Sequence, residues 1–266
     1  MVSSYFLWVV FALGATALPA PALTFSTGAA QPAEKQVISE YFDMLGQKIQ
    51  AGRKMSQAPI CNLNKAVQPI LSPTPLPGPS TGLILKHVAI GRGTQNYTCG
   101  TNATAAPVAV GAVATLFNAS CVASTYPDLL SKLPNVALQF NLNLSPSSPM
   151  QNLNPANLMI SGHHFFTNPS TPFFDLDTKN WALGRGAFAK SDALAAPVGA
   201  SVGQNNQGYG AVAWLKLTAK DGVTGGLQEV YRVNTAGGSP PTTCKDNLGS
   251  SFDVQYAAEY WFYEEA

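Results

Sequence analysis

The sequence predicts an all-β protein, an antiparallel β-sandwich or open barrel with one N-terminal amphipathic helix. Three observations point there. From Gly82 onward apolar residues recur with a period of two, and clusters of Gly, Pro, Asn, Asp and Ser separate the runs. The helical crossovers that parallel strands require are missing between them.

Composition agrees. Charged residues are 11% of the 266, against roughly 25% in an average domain, while Gly (23) and Pro (20) are abundant. The formal net charge is +1 with no Lys/Arg cluster, so neither nucleic acid nor an anionic membrane is an expected partner.

In chain order, the run from Tyr5 to Ala12, followed by Leu13, Gly14 and Ala15-Thr16-Ala17, reads as the apolar core and cleavage site of a signal peptide over residues 1–17. A membrane span needs roughly 18 to 20 apolar residues, and this run breaks at Gly14. The expected product is secreted and extracellular, with no membrane span. Residues 18–57 form an N-terminal segment whose helix, over residues 34–50, presents Val37, Ile38, Tyr41, Phe42, Leu45 and Ile49 at three- and four-residue spacings. Residues 58–266 form the β-rich domain. Pro73, Pro75, Pro77 and Pro79 cannot donate to a sheet and make residues 71–82 a connector or a strap. Alternation then predicts strands over 83–90, 94–99, 108–117, 136–144, 158–166, 173–177, 181–189, 211–219, 227–234 and 254–263, with a short helix over Tyr126 to Leu133. On the last strand Val254, Tyr256, Ala258, Tyr260 and Phe262 form a core face, and Trp261 and Tyr263 share the other face with Glu259 as an exposed row able to bind a ligand.

Cys61, Cys99, Cys121 and Cys244 are an even set in a secreted chain and read as two disulfides. None lies two to four residues from another, so no zinc site is expected. Asn96, Asn102, Asn118 and Asn143 begin glycosylation sequons, whereas Asn168 is silenced by Pro169.

For chemistry, Gly91-Arg92-Gly93 and Gly184-Arg185-Gly186 lack the third glycine of a dinucleotide fingerprint and lead into β-like sequence, so they read as turns or bulges; no cofactor is expected. There is no Gly-x-Ser-x-Gly elbow, and any histidine base must be His87, His163 or His164. His164 reads as a half-buried strand histidine, with the sharper alternative of a general base acting with Asp175 or Asp177. Those two acids share one face of a strand, and Glu229 could join them across a groove as glycoside hydrolysis requires.

Four motifs stand out together: Gly91 to Cys99, His163-His164-Phe165-Phe166, Tyr231 to Cys244, and Tyr256 to Tyr263. With them residues 58–263 resemble a family of secreted proteins, common in filamentous fungi with bacterial relatives, known only as a domain of unknown function. Some of its members carry a malate dehydrogenase label, which no motif here supports. The resemblance implies a Cys99–Cys244 disulfide and, with it, Cys61–Cys121. It brings no established activity. The expected function is therefore non-catalytic binding of an extracellular ligand, a cell-wall glycan or a host surface component, with Gln95, Tyr97, His163, His164, Arg232, Trp261 and Tyr263 as ligand-binding candidates. A secreted hydrolase using His164, and a structural or antigenic surface protein, are the alternatives. No oligomeric state is assigned.

Overall fold

The computed structural model describes residues 32–53, 61–71, 73–140, 152–153, 156–204 and 208–266. The signal peptide, Asn143 and the second half of the strand expected over 136–144 lie outside them. An N-terminal helix α1 (Pro32–Arg53) precedes strands β1 (Leu83–Thr98) and β2 (Val108–Asn118) and helices α2 (Ser120–Thr125) and α3 (Pro127–Gln139). Strands β3 (Asn152–Leu153), β4 (Leu158–Asn168), β5 (Thr171–Asp177), β6 (Ala182–Leu194), β7 (Trp214–Ala219), β8 (Leu227–Gly237) and β9 (Ser251–Glu265) follow.

Every pairing between these strands is antiparallel. The order β2-β1-β9-β8-β7-β6-β5-β4, with β2 also bonded to β4, closes an eight-stranded barrel, and β3 adds to β4 outside the ring. Of the two expected architectures it is the barrel, and the sheet is closed. Closure fills the lumen with one parity of each strand. Ala112, Ala114, Leu116, Phe174, Phe188, Leu217, Val230, Tyr256, Tyr260 and Phe262 form this inner core.

The Gly91-Arg92-Gly93 motif is explained by that packing. A Cβ on Gly91 would stand 2.4 Å from the Tyr260 ring, and one on Gly93 would stand 1.9 Å from the Val113 carbonyl oxygen. Both positions need glycine because rings and neighbouring backbone occupy the space. Arg92 points outward, 1% exposed, and its Nε and Nη2 donate to the carbonyls of Ala137 (3.1 Å), Leu138 (3.4 Å) and Phe140 (3.1 Å). The guanidinium thus closes the C-terminal end of α3, where helix carbonyls lack partners and a cation is favoured.

A second core lies outside the barrel. Val88, Ile90, Phe117, Tyr231, Val233, Trp261 and Tyr263 pack under α3, Tyr41 of α1 and the proline strap. Ion pairs Lys48–Asp128 (2.7 Å) and Lys132–Glu40 (3.2 Å) join α1 to α3.

This outer layer corrects two expectations. Residues 136–139 belong to α3, not to a strand: Pro127 starts the helix where its missing N–H costs nothing, and Leu129, Leu130, Leu133, Val136 and Ala137 repeat on one helical face. The row expected to be exposed on β9 is buried, with Trp261 and Glu259 at 0% and Tyr263 at 8%. Both faces of β9 are covered, so its polar–apolar alternation does not separate wet from dry.

Candidate functional site

The strand register decides which candidates meet. His163 pairs with Asp175 and His164 with Phe174, so the His164 ring enters the lumen while Asp175 stays on the outer face. His164 stacks on Phe174 with centroids 4.3 Å apart, and its Nδ1 donates to the Phe173 carbonyl at 3.0 Å. Burial pulls its pKa down to about 4, and Arg232 nearby pushes in the same direction against that backbone bond. The His164 ring and the Asp175 carboxylate thus stand on opposite faces of the barrel wall and are not brought together. Exposed Asp177 accepts the Gly184 N–H at 2.8 Å and serves the β5–β6 connection.

Glu229 has a separate role. Lys216 Nζ lies 3.0 Å from Glu229 Oε1, both side chains being under a tenth exposed, and Ser80 Oγ donates to the same oxygen at 2.6 Å. Lys216 also donates to the Gly78 carbonyl, and the Tyr231 hydroxyl to that of Pro77, both at 2.9 Å. These bonds fasten the proline strap to β7 and β8.

Four other candidates do converge. Gln95, Tyr97, His164 and Arg232 sit at one end of the lumen around Tyr256 and Tyr260, whose hydroxyls lie 2.8 Å apart. Arg232 donates from Nε (3.2 Å) and Nη2 (2.9 Å) to the Ala213 carbonyl and has no carboxylate partner among the described residues. The Tyr97 hydroxyl donates to the Gly238 carbonyl at 2.8 Å, and burial raises its pKa to about 12. Residues 208–213 and 237–241 thereby close this end over the cluster.

Above that closure lies a groove of about 410 Å³ whose walls include Gln204, Tyr209, Asn247, Phe252, Asp253 and Gln255. Phe252 stacks on Tyr97 with centroids 5.7 Å apart, Tyr209 is 62% exposed, and Asp253 Oδ1 accepts from Asn96 Nδ2 at 2.7 Å. Two rings, three amides and one carboxylate thus line the groove, the Gln255 Oε1 among them already accepting from Arg92 Nη2. Of the ligand candidates, Tyr97 supports this wall from beneath, His163 stands exposed on the far side of the barrel wall, and Trp261 and Tyr263 are buried under the helices and strap.

Sequence reasoning missed the groove residues. They come from loops and one strand end, and exposed Tyr209 amid Gly-rich chain is the signal that could have found them. It also missed a buried relay in which His87 Nε2 meets Ser161 Oγ (2.9 Å) and Nδ1 meets Ser120 Oγ (3.0 Å). Ser161 is 0% exposed, so the relay ties β1, β4 and α2 together and is closed to substrate.

Two disulfides, Cys61–Cys121 and Cys99–Cys244, have Cα separations of 4.7 and 5.6 Å. The second joins the β1–β2 hairpin to the loop that carries Asn247. No helix among the described residues is long and apolar enough to cross a membrane. A family model described as a protein of unknown function (DUF3455) matches residues 79–264. No curated protein and no solved structure matches the chain.

Proposed function

This chain belongs to that family of proteins of unknown function, and from that premise we propose that it is an extracellular binding protein whose groove takes an uncharged glycan. The observation that carries the reading is the lining of the groove, Tyr209 and Phe252 beside Gln204, Asn247, Asp253 and Gln255. Rings pack against the apolar C–H face of a pyranose, while amides and a carboxylate hydrogen-bond its hydroxyls. A chain that is 11% charged with a net charge of +1 suits a neutral polymer better than an ionic one. Secretion is supported by the apolar run at residues 5–12 and by the two disulfides, which persist in oxidising compartments.

The test is retention of the secreted chain on chitin, β-glucan and plant-wall polymers. Wild type is expected to be held by at least one, and Tyr209→Ala to weaken that binding by about tenfold, the equivalent of about 1.4 kcal/mol. Failure of wild type to bind any of the three, or unchanged binding by Tyr209→Ala, would overturn the reading.

A further inference from the structure

The three described sequons are in different structural states, and we infer that Asn102 is the one of them that carries an N-linked glycan. This rests on the secretory reading above, not on the groove. Asn102 is exposed in the hairpin loop between β1 and β2. Its Oδ1 accepts from Thr104 N (3.0 Å) and Thr104 Oγ1 (2.9 Å), an Asx turn made with the hydroxyl residue of its own sequon. That arrangement leaves Nδ2, the atom a glycan would join, without a partner among the described residues.

The loop is well anchored. Beside the Cys99–Cys244 bond, Gly249 N donates to the Gly100 carbonyl at 3.0 Å and Cys244 N to that of Ala105 at 2.8 Å. A sugar on Asn102 thus stands at a hairpin tip and displaces no sheet bond.

Asn96 and Asn118 are instead half-buried strand residues. Asn96 lies in the middle of the sheet between Asp253 of β9 and Gly111 of β2, half-buried, with Nδ2 donating to Asp253 at 2.7 Å. Its Oδ1 is buried without a hydrogen-bond partner among the described residues. Asn118 is half-buried at the end of β2, and its Oδ1 accepts from Ser120 N at 3.0 Å at the start of α2. The next residue, Ala119, is 0% exposed, and the Ser120 hydroxyl is bonded to His87. A glycan on Asn96 would replace its bond to Asp253, and one on Asn118 would leave a half-buried strand end beside buried Ala119 and Ser120, whereas Asn102 is exposed.

The experiment expresses the full chain in a eukaryotic secretory host and, in parallel, residues 18–266 behind that host's own leader. Glycopeptide mass spectrometry after enzymatic release in isotopically heavy water marks each asparagine that bore a glycan. Most molecules are expected to be marked at Asn102 and almost none at Asn96 or Asn118; Asn102→Gln should run one glycan lighter, and Asn96→Gln and Asn118→Gln at wild-type mobility. An unmarked Asn102 in the leader-driven product, or equal marking of Asn96 or Asn118, overturns the assignment. If only the leader-driven form enters the pathway, the secretory reading of residues 1–17 fails while the site is still read.

Discussion

Glu259, wholly buried between β9 and α3, accepts from Asn234 Nδ2 at 2.7 Å and from Trp261 Nε1 at 2.9 Å, and forms no ion pair among the described residues. Burial raises its pKa from 4.5 to about 7 against those two bonds. Its contribution to stability is therefore complete below about pH 4.5 and is lost as pH rises through 7. His87 and His164 act the other way: burial lowers each from 6.5 to about 4, so their contribution is complete above 6.5 and is lost as pH falls through 4. Two imidazoles outweigh one carboxyl over the shared range. The melting temperature is expected to fall on acidification from 6.5 toward 4. Glu259→Gln, which removes the opposing titration, should steepen that fall whatever it does to the absolute melting temperature. A fall of unchanged slope in a scanning-calorimetry pH series would contradict the assignment.

At the scale of elements, the proline strap is held by a buried ion pair whose partners are costly to leave alone. Removing one member strands the other's charge, at about 3 to 5 kcal/mol, whereas replacing both with apolar groups costs far less. Lys216→Met and Glu229→Leu should thus each destabilise strongly in urea unfolding, and the double variant should be more stable than the sum of the two losses predicts. Additive losses would mean that strap and barrel are not coupled through this pair. The strap was legible in the sequence because four prolines within seven residues leave the backbone few alternatives. The core face of β9, Tyr256 to Phe262, was legible for the same kind of reason, a period that only a strand satisfies. Residues 136–139 misled because Val136, Ala137 and Leu138 are apolar at both parities, so a period of two is met trivially and the helical spacing back to Leu129 carries the information. The pairing of His163 rather than His164 with Asp175 on the outer face was not legible. Register between strands is set by the turn at Asn168 to Thr171, and a one-residue slip exchanges the faces. The convergence of Gln95, Tyr97 and Arg232 at the closed end follows from barrel closure, which no local pattern encodes.

For the whole molecule, the two disulfides close loops of different size. Cys99 and Cys244 are 145 residues apart and Cys61 and Cys121 are 60 apart. In the chain-entropy model these loops are worth about 5 and about 4 kcal/mol respectively. Replacing both cysteines of the first pair with alanine should accordingly lower the urea midpoint more than the same change in the second. The reverse order would show that local native contacts, not the unfolded chain, dominate their effect.

The strand order has a kinetic meaning. β1 is bonded along its length to β9, whose residues leave the ribosome more than a hundred positions later. During translation β1 can find β2 but not its other neighbour, so the ring stays open until synthesis reaches residues 251–265. Folding that depends on so distant a partner is slow, and in that interval the β1–β2 hairpin carries one strand edge that waits for the last segment of the chain.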